Sequence, residues 1–226
     1  MRLVTYNVSS GLDPVAAGRV LREVAPTVVC LLELPSTKRL RILLRTAGLE
    51  VVTRAGRRGT GTAILADPQV RVRATTLVPL TTPRDVPSRQ AAHAIVSVAG
   101  LGLSVAAVQF GLRPEVRRTN LAELLAFLDT IEQPSVIGCD LNESVRSPVA
   151  TGFAARYTDA FGLVGTGLGL TYPTSDPSTR QDFVFVDPTL SVTAAVVPTG
   201  EHVDQASHHR PVVVDLEAGQ PDGSPT

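Results

Sequence analysis

The chain has no tryptophan, a single methionine, two cysteines and an aromatic content of only 4% in 226 residues. Proteins that bind nucleic-acid strands regardless of sequence commonly stack bases on aromatic rings, so this scarcity weakly favours a small ligand. Cys30 and Cys139 each lie inside a strand-like apolar run, where a buried, reduced thiol is far commoner than a disulfide or a metal ligand. The cysteines therefore favour a reducing compartment.

An excess of charge of either sign is also lacking, because 21 lysine and arginine residues balance 21 aspartate and glutamate residues. No global positive field would attract a polyanion, so any contact with DNA or RNA must be local. The chain opens without a basic, apolar leader, and no apolar run is long enough to span a bilayer. We therefore expect a cytoplasmic protein with no membrane partner.

The residues that are present can build one large core, since 43% of them are hydrophobic. Residues 1–217 are expected to form a single domain, with a monomer as the default oligomeric state. Residues 218–226 form a polar stretch rich in proline, glycine and serine, which predicts a disordered C-terminal tail.

The hydrophobic pattern at the start of the chain alternates between strand and helix. Residues 2–8 predict a strand, and Asp13-Pro14 supplies an N-cap and a first-turn proline for the helix that follows. A strand at residues 27–32 precedes a second helix, which is capped by Ser36 and ended by Gly48. This rhythm is typical of a layered α/β protein.

The pattern changes after residue 48. Five short runs between residues 49 and 109 are separated by glycine, proline and threonine turns, which predicts an antiparallel meander. The remaining predicted elements are a long helix from Pro114, a strand ending at Asp140, a short helix from Ser147, and strands at residues 182–186, 190–197 and 211–216.

Polar side chains terminate several of the predicted strands. The apolar run from Val136 ends at Asp140, and Asn142 follows two residues later, so both side chains point the same way. Each such residue alone has an ordinary explanation as a turn cap or a solvated charge. Layered sheets gather strand ends at one edge, so the whole set predicts a common site. The other members of the set are Asn7, Glu33, Gln109, Asp182 and His209.

Six short motifs follow one another along nearly the whole chain. They are Thr5-Tyr6-Asn7, Leu32-Glu33-Leu34, Gly61 to Leu65, Gly138 to Asn142, Arg180 to Phe183 and Ser207 to Val212. In this order and spacing they resemble the endonuclease/exonuclease/phosphatase superfamily. The resemblance implies an α/β (α+β) fold, a four-layer sandwich of two mixed β-sheets flanked by helices. It also implies divalent-metal-dependent hydrolysis of a phosphoester.

The resemblance assigns the metal and the attacking water to four residues. Glu33 would be the main metal ligand, with Asn7 close to both metal and phosphate. Asp140 would orient or deprotonate the water, and Asn142 would hold that water or a phosphate oxygen. Oxygen ligands suit a hard cation such as Mg²⁺ or Mn²⁺, which neutralises charge on the phosphoryl oxygens.

Four further residues would contact the phosphate or support that contact. His209, paired with Asp182, would contact the phosphate as it becomes pentavalent. Asp182 accepting one imidazole N–H favours the protonated ring, which then stabilises the extra negative charge. The resemblance also places Gln109 and Arg180 among the phosphate-binding residues.

Two positions depart from the family pattern. Gln109 stands where most relatives have a histidine, so it can donate a hydrogen bond to phosphate but carries no charge. His208 stands where relatives have an aspartate, and as a metal ligand it would shift preference from Mg²⁺ toward Mn²⁺ or another transition metal. The alternative for His208 is a surface residue with no role.

Three functions fit these observations. The first is a nuclease or other phosphodiesterase, the second a phosphatase or phosphodiesterase on a small phosphorylated metabolite, and the third a binding protein of the same fold with impaired catalysis. Two arginine groups could grip substrate phosphates or could simply be solvated. They are Arg54, Arg57 and Arg58 at a glycine-rich turn, and Arg113, Arg117 and Arg118 at the start of the long helix.

Overall fold

The computed structural model describes residues 1–9 and 12–217, and these ranges contain twelve strands and six helices. The strands are β1 (Arg2–Asn7), β2 (Val28–Leu32), β3 (Glu50–Ala55), β4 (Thr62–Ala66), β5 (Arg71–Leu80), β6 (Arg89–Val98), β7 (Leu101–Gln109), β8 (Ser135–Asp140), β9 (Thr158–Asp159), β10 (Asp182–Val186), β11 (Ser191–Val196) and β12 (Val212–Glu217). The helices are α1 (Pro14–Val24), α2 (Thr37–Ala47), α3 (Pro114–Leu128), α4 (Pro148–Ala154), α5 (Ala160–Val164) and α6 (Glu201–Ala206).

The strands form two six-stranded sheets. The first has the order β11-β12-β1-β2-β4-β3, and the second has the order β5-β6-β7-β8-β10-β9. Both are mixed, because β1 pairs with β2 and β7 pairs with β8 in parallel, whereas the other neighbours pair antiparallel. Each sheet therefore has parallel strands at its centre that end at the same edge.

The core has three apolar layers, one between the sheets and one outside each sheet. The central layer combines residues of both sheets, such as Cys30 and Val184. Outside the first sheet, Leu21 of α1 and Leu43 of α2 are buried in a second cluster, and outside the other sheet Leu124 of α3 is buried in a third. The predicted four-layer sandwich of two mixed sheets flanked by helices is thus confirmed.

The ends of the first two helices are set by the predicted capping residues. Asp13 Oδ1 accepts hydrogen bonds from the backbone N–H groups two and three residues later, each 2.9 Å long, and Pro14 is the first residue of α1. Ser36 caps α2, and Gly48 ends it in the left-handed conformation with φ of +75°. Such caps satisfy helix-end groups that would otherwise lack partners, so local sequence fixes where the chain turns back toward the sheet.

The two sheets approach each other closely at Gly138 of β8. A side-chain carbon at this residue would lie 2.4 Å from Cβ of Cys30 and 3.1 Å from Cβ of Thr5, which are residues of the facing sheet. Glycine therefore lets β8 pack directly against β1 and β2. The spacing of the sheets at this point also sets the spacing of the side chains that follow at the strand ends.

The predicted meander over residues 49–109 is wrong as a single unit. Strands β3 and β4 pair with each other and join β2 in the first sheet, whereas β5, β6 and β7 form a meander in the second. Alternation of apolar and polar residues identifies a strand, but it does not indicate which sheet the strand joins. The elements β9, α5 and α6 also lacked a sequence signal, because two to six residues are too few to show a period.

Of the remaining sequence-based expectations, one is confirmed and the others stay predictions. Both cysteines are buried, as predicted. A single domain over residues 1–217 and a monomeric state stay predictions, and the predicted tail at residues 218–226 lies outside the described residues. Within the described ranges, no helix combines the length and the apolar character needed to cross a membrane. The cytoplasmic location stays an expectation.

Candidate active site

The first sheet delivers three polar residues to one edge. Asn7 ends β1, and Glu33 directly follows β2, which runs parallel to β1. Strand β12 runs antiparallel to β1 and begins opposite Thr5, so His209, three residues earlier, reaches the same edge. Glu33 has φ of +55°, a left-handed conformation that is uncommon for residues other than glycine and is concentrated at functional sites.

The second sheet delivers three more polar residues to this edge. Gln109 and Asp140 end the parallel neighbours β7 and β8, directly opposite each other. Asp182 begins the antiparallel strand β10, also opposite Asp140 but on its other side. Strand pairing alone therefore places Asp140 between Gln109 and Asp182.

Two side-chain amides connect the carboxylates of Glu33 and Asp140 across the sheets. Asn7 Nδ2 lies 3.2 Å from Glu33 Oε1 and 2.9 Å from Asp140 Oδ2. Gln109 Nε2 lies 2.9 Å and 3.1 Å from the same two oxygen atoms. Because each amide carries two N–H groups, both of its donors are used. The two carboxylates thus converge on one small region, which is the arrangement a cation requires.

Asp140 is buried, with 1% of its surface exposed, and its pKa is shifted by this environment. Its pKa is raised to about 6, first by burial and then by the neighbouring Asp182 carboxylate. The cationic ring of His209 and hydrogen bonds from Asn142 and Gln109 act in the opposite direction. At neutral pH Asp140 is therefore ionised but more basic than an ordinary aspartate.

Asn142 ties the loop after β8 to the end of β7. Its backbone N–H donates to Asp140 Oδ1 at 2.8 Å, and its Nδ2 donates to the backbone oxygen of Phe110 at 2.8 Å. Like Glu33, it has a positive φ, here +51°. The side chain of Asn142 is consequently held in place, with Oδ1 as the atom that it can offer to a water molecule.

Asp182 and His209 form a buried pair. Asp182 Oδ2 accepts from His209 Nδ1 at 2.8 Å, and the ring of Tyr172 packs on the imidazole with 4.6 Å between centroids. Burial lowers the His209 pKa, but Asp182, followed by Asp140 and Glu33, outweighs it and raises the pKa to about 9. The imidazole is therefore protonated at neutral pH, and its Nε2–H is the donor left for a substrate.

Arg89 is a member of the cluster that the sequence did not reveal. It begins β6 and is half-buried, and its guanidinium donates a short hydrogen bond to Gln109 Oε1. Burial lowers the Arg89 pKa, whereas the charges of Asp140 and Glu33 raise it. Only the pairing of the strands could have indicated that Arg89 lies in the cluster. Strand β6 runs antiparallel to β7, so β6 begins where β7 ends.

Arg180 lies apart from this cluster. Its guanidinium makes a bidentate ion pair with Asp159, at 2.9 and 2.5 Å, and lies 4.6 Å from the ring centroid of Phe183. The ion pair connects the segment before β10 to β9, and the ring contact holds the same guanidinium against β10. The guanidinium of Arg180 is thus engaged outside the cluster, and its contact with the phosphate stays a prediction.

Three other candidates are also not joined to the cluster. His208 is exposed, and its described contacts are backbone ones: its N–H donates to Ser9 Oγ at 3.2 Å, and its oxygen accepts from Thr174 N at 3.0 Å. Arg113 pairs with Asp85 at 2.6 Å, and the buried Arg117 pairs with Glu143 at 2.5 Å. Both guanidinium groups therefore form ion pairs with acids outside the cluster.

The charges of the cluster fit a divalent cation. The carboxylates of Glu33, Asp140 and Asp182 exceed the cationic groups of Arg89 and His209 by one, and Asp182 Oδ1 is buried without a hydrogen-bond partner among the described residues. Ligand atoms of Asp140, Asp182 and His209 also lie within 4.8 Å of one another. A protonated imidazole is a poor ligand, however, so the carboxylate oxygens are the donors that suit a hard cation.

Comparison with known families supports the same chemistry. A profile of the Endonuclease/Exonuclease/phosphatase family matches residues 4–219 of the chain. Members of this family are hydrolases that act on phosphoesters, and they generally depend on a divalent metal. No curated protein matches the chain.

Solved structures include several with a similar fold. An endonuclease/exonuclease/phosphatase from Bacteroides vulgatus has a TM-score of 0.85 and 17% identity, over 96% of this chain and 98% of that one. The mannosyl-6-phosphatase of Bacteroides thetaiotaomicron gives 0.83 and 15%, over 96% and 99%. The human Nocturnin catalytic domain with bound sulfate gives 0.76 and 17%, over 96% and 93%. Such identities show the fold alone, but together with a profile that spans nearly all residues they lead to one conclusion: the chain belongs to the endonuclease/exonuclease/phosphatase family.

Proposed function

We propose that this phosphoester hydrolase is a divalent-metal-dependent phosphodiesterase of the nuclease type. The observation that carries the proposal is the meeting of Glu33, Asp140 and the Asp182–His209 pair in one cluster where the two sheets adjoin. Hydrolysis of a phosphodiester requires charge neutralisation, an activated water and stabilisation of the extra negative charge. The cluster offers a group for each requirement.

Glu33 is the residue that we assign to the metal, with Mg²⁺ or Mn²⁺ as the expected ion. When bound, the cation would neutralise charge on the phosphoryl oxygens. The sequence predicts Asn7 as a second ligand, but Asn7 Nδ2 donates to both carboxylates and its Oδ1 accepts from the backbone N–H of Ser9 at 2.9 Å. We therefore assign Asn7 to holding Glu33 and Asp140 in place.

Asp140 is the proposed general base. A pKa of about 6 leaves it ionised at neutral pH and still able to accept a proton from an attacking water. Asn142 Oδ1 would orient that water, since its Nδ2 already donates to a backbone oxygen. His209 would donate from Nε2 to a phosphoryl oxygen as negative charge develops there.

Arg89 supplies a positive charge that Gln109 cannot. The Nε2 of Gln109 is occupied by Glu33 and Asp140, and its Oε1 accepts from Arg89. With both ends of the amide in use, Gln109 positions its neighbours and has no donor left for a phosphate. We therefore assign the phosphate contact on this side of the cluster to Arg89.

A second candidate is the hydrolysis of a small phosphorylated metabolite. The zero net charge and the scarcity of aromatic rings favour it, because sequence-independent binding of a long strand usually relies on an excess of positive charge and on stacking rings. The similarity in fold to a mannosyl-6-phosphatase is compatible with this reading. The same catalytic cluster would serve either class of substrate.

Hydrolysis of bis-p-nitrophenyl phosphate and of a panel of phosphate monoesters, with and without chelator and with Mg²⁺, Mn²⁺ or Zn²⁺ restored, tests the proposal. We expect metal-dependent release of p-nitrophenol from the diester and nicking of plasmid DNA. Monoester hydrolysis without diester hydrolysis would favour the metabolite candidate. No hydrolysis of any substrate with any metal would favour the third alternative, a binding protein of the same fold.

Matched substitutions connect activity to the cluster. Replacing His209 with glutamine should lower kcat at least about a hundredfold, the scale expected when one group that stabilises transition-state charge is removed. The matched control is His202→Gln, because His202 is exposed on α6 and pairs with Glu23 at 3.0 Å, away from the cluster. Equal loss in both variants would contradict the assignment of His209.

A further inference from the structure

A large cationic cavity opens next to the catalytic cluster. It has a volume of about 770 Å³, and Arg54, Arg57 and Arg58 line it together with Leu34, Ser88 and other residues. All three arginines are exposed, and no acidic residue lines the cavity. Their backbones take part in the β3–β4 hairpin, but none of the three guanidinium groups makes a hydrogen bond or an ion pair with another of the described residues. Three guanidinium groups in one hollow, none of them neutralised, form a site for an anion.

The cavity adjoins the catalytic cluster through residues that are bonded directly to two of its members. One wall begins at Leu34, which follows Glu33 in the chain, and the opposite wall contains Ser88 and Gln90, which flank Arg89. Consecutive Cα atoms are about 3.8 Å apart, so the backbone of the cavity wall is also the backbone that carries Glu33 and Arg89. A substrate larger than one phosphate would extend into the cavity.

The turn that carries the arginines is held rigidly. Backbone hydrogen bonds of 3.0 Å join Leu34 N to Gly61 O and Gly59 N to Leu34 O, and Gly56 N donates to Gln90 Oε1 at 3.2 Å. The β3–β4 turn is therefore attached to both walls of the cavity. Such preorganisation reduces the entropy that binding would otherwise cost.

The cavity also presents an apolar surface beside the arginines. Leu77 of β5 is 47% exposed there, and Pro35 and Leu40 lie on the α2 side. A hollow with guanidinium groups at one side and aliphatic carbon at the other suits a phosphate attached to a sugar or a ring. It suits a bare inorganic anion less well.

We propose that this cavity is a second phosphate subsite, so that the preferred substrate carries another phosphate group next to the one that is hydrolysed. The inference rests on the proposed phosphodiesterase function and narrows its substrate class. A nucleotide chain and a small bisphosphorylated molecule share this chemistry.

The test compares two substrates that differ by one phosphate. These are the p-nitrophenyl ester of thymidine 5′-phosphate and the same ester with a 3′-phosphate. We expect kcat/KM to be about tenfold to a hundredfold higher for the second, the range for charge-assisted hydrogen bonds. The Arg57→Ala/Arg58→Ala variant should reduce this ratio to about threefold or less.

The matched control is Arg71→Ala/Arg73→Ala, which removes two exposed arginines from β5. Arg71 is six residues from Leu77, about 20 Å along the strand, so this variant should retain the full ratio. Equal kcat/KM values for the two substrates in the wild-type protein would overturn the proposal. A ratio that survives in Arg57→Ala/Arg58→Ala would do the same.

A measurement of binding affinity distinguishes an error in the subsite proposal from an error in the proposed function. If neither ester is hydrolysed with any metal, the phosphodiesterase assignment is wrong, and titration calorimetry with thymidine 3′,5′-bisphosphate still tests the cavity. We expect wild type to bind it at least about tenfold more tightly than Arg57→Ala/Arg58→Ala. Equal affinities would show that the arginines hold no phosphate. Comparison with a dinucleotide and a sugar bisphosphate then distinguishes the two sources of the second phosphate.

Discussion

Gln109 shows how a neutral residue can occupy the centre of a charged cluster. Its Nε2 joins the carboxylates of Glu33 and Asp140, and its Oε1 accepts from Arg89. A histidine at this position could carry a charge itself, whereas glutamine passes that role to the arginine beside it. In the proposed mechanism, the cation that contacts the phosphate therefore lies on β6 and not on β7.

This relation yields a prediction for Arg89. Replacing Arg89 with methionine keeps much of the buried aliphatic length but removes the charge, so kcat/KM for bis-p-nitrophenyl phosphate should fall about a hundredfold to a thousandfold. The matched control is Arg84→Met, because Arg84 is exposed in the connection that precedes β6. Steady-state kinetics measure both. If Arg89→Met retained more than half of the activity, its contact with the phosphate would be excluded.

The pH dependence of the proposed reaction follows from two groups whose pKa values are shifted. Asp140 must be ionised to accept a proton, and its pKa of about 6 means that activity rises as pH increases through 6. His209 must be protonated, and its pKa of about 9 means that activity falls as pH increases through 9. We therefore expect a bell-shaped profile of kcat/KM at constant metal concentration, with limbs that belong to the coupled cluster as a whole.

The substitution Asp182→Asn identifies the origin of the alkaline limb. Loss of the carboxylate removes the largest influence that raises the His209 pKa, so the alkaline limb should move to lower pH by one unit or more. The acidic limb should move down as well, because Asp182 raises the pKa of Asp140. An unchanged alkaline limb would show that another group is titrating.

Most of the cluster was accessible from the sequence, and Arg89 was not. Asn7, Glu33, Asp140 and Asp182 interrupt or end apolar runs, so their polarity is conspicuous where a strand ends. Arg89 follows a polar connection and begins a strand with no break in the pattern. Its role depends on antiparallel register between β6 and β7, which no local feature of the sequence specifies.

At the scale of elements, the packing of β8 against the facing sheet leaves no room for a side-chain carbon at Gly138. Gly138→Ala would place a methyl group 2.4 Å from Cβ of Cys30, so β8 must shift or the sheets must separate. We expect a loss of about 1–3 kcal/mol in the free energy of unfolding, as is typical of overpacked cores. Chemical denaturation followed by far-ultraviolet circular dichroism measures it.

Gly102→Ala is the matched control for this prediction. Gly102 lies in β7 of the same sheet, and a side-chain carbon there would meet only Gln133 Cγ, at an ordinary 3.7 Å. The free energy of unfolding should change by less than about 0.5 kcal/mol. Comparable destabilisation by both substitutions would mean that strand conformation, and not the approach of the sheets, sets the cost.

The strands themselves were predictable, but their distribution between sheets was not. A hairpin such as β3–β4 has the same local pattern whether it extends the first sheet or the second. The chain changes sheets between β4 and β5, where Val70 N donates to Asp67 O in a short turn. That turn looks like any other in the sequence, and the choice of sheet depends on packing between layers.

At the scale of the whole molecule, neither sheet contains a complete site. The first contributes Asn7, Glu33 and His209, and the second contributes Arg89, Gln109, Asp140 and Asp182. The catalytic distances therefore depend on the docking of one sheet on the other. A closely packed interior between them, with residues such as Val105 and Val214 fully buried, maintains that docking.

Activity and global structure should consequently be lost together. In urea titrations, the midpoint for hydrolysis of bis-p-nitrophenyl phosphate is expected to coincide with the midpoint for far-ultraviolet circular dichroism, as for a two-state transition. The comparison uses saturating metal in both measurements, since ligand binding shifts apparent stability. A midpoint for activity well below the structural one would show that the cluster can disperse while both sheets stay folded.

The pairing of β12 with β1 brings the last strand against the first. During translation, Asn7 and Glu33 leave the ribosome well before His209, which directly precedes the β12 segment. Until β12 docks, the growing polypeptide holds only fragments of a hydrolytic centre. A nascent molecule of this protein should therefore be unable to hydrolyse a phosphoester until β12 has been synthesised and has docked.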